Sequence, residues 1–162
     1  MGIRQLNHAV LYVRDAARSA TFYEDVLGFS TVLAIPGGAF LRAPESTNDH
    51  DVAFFSIGEG AGPSAAGRST VGLYHLAWEV PTLGDLADLA KALSSAGALV
   101  GASDHTVSKS LYARDPDGLE FEVCWCVPLE LLDGAEVSPR PLPLDIPAEI
   151  ERFGATTPGR LA

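Results

Sequence analysis

Lysine is nearly missing from this chain: two residues in 162, within a total of 11 basic against 21 acidic side chains and a formal net charge of −10. No basic cluster offsets that field, so nucleic acid and anionic lipid are excluded as leading partners. No apolar run approaches the roughly 18–20 residues that a membrane span needs. The opening MGIRQLNH lacks a signal peptide's apolar region, and Leu6 at the sixth position does not suit myristoylation at Gly2. Cysteine is limited to Cys124 and Cys126, whose spacing does not match the C-x-x-C pair of a zinc site. Small buried thiols in a reducing compartment are the simpler reading, which with the missing leader predicts a cytoplasmic protein. At 47% hydrophobic and 20% charged, the chain has room for one domain or for two small modules sharing a core.

What is present is organised around Leu111–Trp125, LYARDPDGLEFEVCW. Asp115-Pro116-Asp117-Gly118 is turn chemistry, with proline setting φ, Asp bonding nearby backbone and glycine accepting positive φ. The flanks read as strands, so a β-hairpin is expected. After the turn, alternation puts Phe121, Val123, Trp125 and Val127 on one face and Glu120, Glu122, Cys124 and Cys126 on the other. An acid in mid-strand is costly to bury unless it is paired or bound to a metal. It asks for a cation.

The chain also repeats itself. LNHAVLYV (6–13) reads as a strand, Asp15 caps a helix over 16–27, and Gly28 ends it. STVLAI, AFLRA and VAFFSI then supply three strands. Residues 59–72, EGAGPSAAGRSTVG, have the composition of a linker. YHLAWEV (74–80) starts the pattern again, Thr82 caps a helix over 83–96, and LVGAS, SLYARD and LEFEVCW follow. This predicts βαβββ modules over 1–58 and 73–127, with an extension over 128–162 that holds six of the eleven prolines. The proline content excludes a further sheet module there. An extended middle and a helical turn near 148–153 are expected, wrapping either this domain or a second subunit.

Overlaying HAVLYV on HLAWEV pairs His8 with His75, each read as part of a module's first strand. A lone histidine in an apolar strand is more often a core residue than a ligand. Here two align by repeat and Glu122 completes two imidazoles and a carboxylate, the facial triad associated with Fe(II), with Mn(II) also suited. The same offset places Phe55 opposite Glu122 in the first module. Phe55 cannot ligate, which leaves an open site, and open sites are more often catalytic.

NHAVLYVRD…FYEDVLGF, YHLAWEV and LYARDPDGLEFEV resemble the vicinal oxygen chelate superfamily, the glyoxalase, bleomycin-resistance and extradiol-dioxygenase group. The resemblance covers roughly residues 3–127. It implies an α+β fold whose two tandem βαβββ modules form a cup-shaped mixed β-sheet around a divalent metal held by His8, His75 and Glu122. Glyoxalase I takes a fourth ligand from the position read here as Phe55. Fosfomycin-resistance members need late cations, whereas here none follows Glu122 until Arg140. Bleomycin-binding members lack the triad.

Ring-cleaving extradiol dioxygenases are the most similar, and they carry a His and a Tyr in the hairpin before the glutamate ligand. On this chain those roles fall to His105, as proton carrier, and Tyr112, as orienter of a catechol. The further acid–base His of larger members would fall at Gly60, in the linker; the nearest histidine is His50. The expectation is therefore an Fe(II)-dependent dioxygenase cleaving a catechol-like diol, with a small-molecule substrate and, by analogy, a homodimer. The alternatives are a metal-dependent isomerase, epimerase or lyase, and a small-molecule-binding resistance protein.

Overall fold

The computed structural model describes residues 2–67, 69–132, 134 and 140–160. The chain divides into two compact units: Met1–Ser64 with Asp115–Gly118, and Ala65–Arg114 with Leu119–Ala162. Each unit carries one four-stranded mixed sheet and one long helix, the expected tandem βαβββ pattern.

In the first unit β1 (Ala9–Val13) leads into α1 (Ala16–Leu27), followed by β2 (Ser30–Ile35), β3 (Gly38–Arg42) and β4 (Val52–Ser56). Asp15 accepts hydrogen bonds from the Ala17 and Arg18 amides, which opens α1. Gly28 closes it at φ 74°, a left-handed conformation that a side chain would resist. The sheet order is β1-β4-β3-β2, with β1 parallel to β4 and the other pairs antiparallel. The core lies under α1, where Tyr23 meets Phe54 at 4.9 Å and Phe29 at 5.4 Å between ring centroids. Each such fully buried side chain contributes about 1.5–3 kcal/mol of transfer free energy.

The second unit repeats this order with β5 (Leu76–Glu79), α2 (Leu83–Ser95), β6 (Leu99–Asp104), β7 (Ser108–Arg114) and β8 (Glu120–Cys126), arranged β5-β8-β7-β6. A capping box between Thr82 and Asp85 opens α2. The β8 face pattern follows the reading: Phe121, Val123, Trp125 and Val127 are buried, while Glu122, Cys124 and Cys126 are half-buried. The cysteines are thus less enclosed than expected.

Two details differ from the sequence reading. Both first strands start later, at Ala9 and Leu76, so His8 and His75 each sit one residue ahead of the ladder. The first ladder bond runs from the Ala9 amide to the Asp51 carbonyl, and His8 precedes it. The repeat also slips. Ala9 pairs with Val52 and Leu76 with Phe121, an offset of 76 − 9 = 67 at the first strand but 121 − 52 = 69 at the last. Glu122, which pairs with Ala77, therefore corresponds to Ala53, which pairs with Val10, and not to Phe55. The β6–β7 and β7–β8 connections differ in length from their first-module counterparts, which a constant offset cannot absorb. Alanine is as unable to ligate as phenylalanine, so the module asymmetry stands.

The extension packs on the second unit. The expected helical turn is α3 (Ile146–Phe153), capped by Asp145. Leu142 pairs with Asp104 through two backbone bonds of 2.8 Å, and Pro158 bridges to Thr82. Trp125 donates its indole N–H to the Thr157 carbonyl and lies 5.5 Å from the Phe153 ring. Residues 135–139, part of the stretch read as extended, lie outside the described residues.

Candidate metal centre

Cross-strand pairing brings together the candidate residues of the second unit. Glu122 at the middle of β8 faces Ala77 of β5 on one side and Tyr112 of β7 on the other. His75, just before β5, directs its Nε2 to 3.1 Å from the Glu122 carboxylate. Both side chains are largely enclosed, at 25% and 13% exposure. The His75 Nδ1 is buried without a hydrogen-bond partner among the described residues, and the Tyr74 ring lies at 4.6 Å.

The turn from β6 to β7 brings His105 over the same face. Thr106 sits at φ 70°, unusual for a β-branched residue, and the Asp104 carboxylate accepts its amide at 2.7 Å. His105 Nε2 lies 2.8 Å from the Tyr112 hydroxyl. The Tyr112 ring is in turn 5.9 Å from that of His75. His75, His105, Tyr112 and Glu122, four of the five residues singled out from sequence, therefore form one linked group. Burial pushes the Tyr112 phenol above its ordinary pKa, and Glu122, Tyr74 and Cys124 add to the effect. Tyr112 is thus a protonated phenol at neutral pH. The Cys124 thiol is pushed up to about 12, chiefly by burial and then by Cys126, Glu122 and Glu79, so it is not a ready thiolate ligand.

The fifth residue, His8, belongs to the first unit. Its Nδ1 lies 2.7 Å from the Asn7 side-chain oxygen, and its ring lies 4.4 Å from that of His50, tilted by 36°. Phe40 meets His50 edge-on at 5.2 Å. Among the described residues no group of three His, Cys, Asp or Glu side chains is gathered at metal-binding spacing. The donor pair of the second unit does fit an ion. Two donors each about 2.1 Å from a metal at right angles are roughly 3 Å apart, which matches His75 and Glu122.

Sequence reasoning passed over several residues beside these. Lys109 is buried at 1% exposure between Asp104 at 2.6 Å and Glu149 at 3.0 Å. Asp117 accepts from the Arg14 amide at 2.9 Å and from the Arg14 and Arg18 guanidinium groups at 2.7 and 3.0 Å. A lysine inside an apolar strand was the available signal for the first. The second had none beyond the turn.

Each βαβββ module thus has a histidine one residue ahead of its first strand, and the second module has a glutamate in its last. The chain belongs to the Glyoxalase/Bleomycin resistance protein/Dioxygenase superfamily, which it matches over residues 5–123. It is 39% identical over 120 residues to biphenyl-2,3-diol 1,2-dioxygenase 3 of Rhodococcus globerulus, a match spanning 74% of this chain and 62% of that protein. It is 34% identical over 121 residues to catechol-2,3-dioxygenase of Bacillus subtilis (strain 168), spanning 73% and 40% respectively. The chain thus matches less than two thirds of the length of either relative. Among solved structures, a glyoxylase/bleomycin resistance protein/dioxygenase domain from Frankia sp. EAN1pec has the same fold at 22% identity, with a TM-score of 0.64 over 77% of this chain and 93% of that one. No helix among the described residues is long and apolar enough to cross a membrane.

Proposed function

We propose that this protein is an extradiol-type dioxygenase that opens the ring of a catechol-like diol, with His8, His75 and Glu122 holding a divalent metal, Fe(II) by preference. The observation that carries the reading is the pairing of two features on one sheet face: a His–Glu donor pair at 3.1 Å and a His–Tyr hydrogen bond at 2.8 Å beside it. Two relatives named for diol ring cleavage support the same reaction class.

A bound ion supplies Lewis acidity and open positions for vicinal oxygens and dioxygen. The chain's own groups do the rest. Tyr112, protonated at neutral pH, offers an O–H to a diol oxygen and orients the ring. His105 Nε2, 2.8 Å from the Tyr112 hydroxyl, would receive the proton that a diol loses on becoming an anion, the diol O–H passing its proton to the Tyr112 oxygen as Tyr112 passes its own to Nε2. The half-buried setting of Glu122 strengthens these interactions by limiting water. Alanine and not a carboxylate at position 53 favours this reading over four-ligand glyoxalase chemistry. Two free thiols suit a reducing, cytoplasmic setting.

Metal-stripped protein reloaded anaerobically with Fe(II), then given a panel of aromatic diols in air, is expected to form yellow ring-fission product with oxygen uptake. Metal binding without oxygen uptake on any diol overturns the proposal. Turnover under argon with Mn(II), Co(II) or Ni(II) would establish the isomerase or lyase alternative instead.

A further inference from the structure

The His8 imidazole ends a chain of hydrogen bonds whose polarity is set at its far end. Asp51 is the origin. Its Oδ2 accepts the Ala43 amide at 2.8 Å, and its Oδ1 accepts the Ser46 hydroxyl at 2.7 Å. Both Asp51 oxygens already act as acceptors, so the Asn48 group 2.7 Å from Oδ1 is the donor end, the amide nitrogen. The same nitrogen donates to the Asn7 carbonyl at 2.9 Å. The Asn48 oxygen is thereby turned to the Asn7 side chain, which donates to it at 3.4 Å through its own nitrogen. With both amides oriented, the Asn7 oxygen is left facing His8 Nδ1 at 2.7 Å. An oxygen there can only accept, so Nδ1 must carry the proton and the lone pair lies on Nε2.

We infer that Asn7, held by Asn48 and Asp51, is a positioning residue that keeps His8 in the Nδ1–H tautomer and so presents Nε2 to a metal. The His50 ring at 4.4 Å, backed by the Phe40 edge, limits rotation of the imidazole on its other side. An exposed histidine needs such support, because nothing in a core holds its ring. The assignment deepens the proposed function and rests on it only for the role of His8 as ligand. Among the described residues His75 has no equivalent partner at Nδ1, so the two imidazoles are prepared by different means.

The test uses full-length protein with 15N-labelled imidazoles, stripped of metal, at about pH 8, where an ordinary histidine is neutral. Two-bond 1H–15N correlation is expected to show His8 as the Nδ1–H tautomer in the wild type and as a mixture or the Nε2–H form in Asn7→Ala. Mn(II) titration is expected to weaken about 10–100-fold in Asn7→Ala and in Asn48→Ala, the range for removing the partner of a ligating histidine. Asn7→Asp, which keeps the acceptor, should restore the tautomer. A wild-type His8 in the Nε2–H form overturns the inference, as does an Asn7→Ala protein that keeps both the wild-type tautomer and the wild-type Mn(II) affinity. Wild-type protein that binds no metal but shows the Nδ1–H form, lost in Asn7→Ala, would sink the ligand role and leave the tautomer assignment intact.

Discussion

Tyr112 has two neighbours that pull on its hydroxyl in different ways. His105 Nε2 hydrogen-bonds it, while burial and the charge of Glu122 resist its ionisation. The phenol should therefore titrate above the ordinary value of 10.0, followed as phenolate absorbance in metal-free protein with Tyr112→Phe as the reference. On the proposed reaction, Tyr112→Phe keeps the ring and the pocket but removes the O–H. A hydrogen bond to a charged group contributes about 1.5–3 kcal/mol, so kcat should fall roughly 10–100-fold with Mn(II) affinity unchanged. Affinity falling in step with kcat would assign Tyr112 to the metal site and not to the substrate. These residues were legible in the sequence because turn chemistry and strand alternation are local. Asn7, Asn48 and Asp51 were not, since short polar residues at strand edges look alike until the fold decides which carboxylate they meet.

The turn Asp115–Gly118 is the element with the clearest built-in stability. Gly118 at φ 80° and the Asp117 amide bonding Asp115 Oδ1 at 2.9 Å shape it as the composition predicted. Its grouping with the first unit, through Asp117 and two arginines, came only from the tertiary structure. The Asp117 carboxyl is 6% exposed, and although burial alone would raise its pKa, the Arg14 amide and the two guanidinium groups hold it below the usual carboxylate value. A depressed native pKa means the unfolded chain binds the proton first as pH falls. The stabilisation is therefore full above about pH 4 and lost as pH drops through the native value. Asp117→Asn should lower stability by about 1.5–3 kcal/mol at pH 7 in urea melts, with the gap to wild type closing toward pH 2. An equal gap at both pH values would show that shape, not charge, holds the turn.

At the scale of the whole chain, the extension is part of the second unit and not an appendage. It covers Trp125 and supplies Glu149 to Lys109, whose other ion pair among the described residues is with Asp104. Lys109→Met would leave two enclosed carboxylates without their cation and should cost about 3–5 kcal/mol, the range for breaking a buried pair from one side. Removing residues 140–160 should lower the melting temperature by about 10 °C, taking roughly 2–4 °C per kcal/mol at this length. Both are read by thermal melts followed through Trp fluorescence. A truncated chain that melts with the wild type would show that the extension merely rests on the sheet.

Periodicity, caps and turn residues determined the elements, the doubled βαβββ order, and which face of β8 carries the acid, because each depends on neighbours within a few residues. Register was decided otherwise. The two-residue slip that makes Ala53 and not Phe55 the counterpart of Glu122 in the repeat follows from ladder pairing between strands far apart in sequence, where connection length does not count. Tertiary structure alone paired His105 with Tyr112, closed His75 on Glu122, and ran a polar relay from Asp51 to His8. Those are contacts between side chains that chain spacing does not encode.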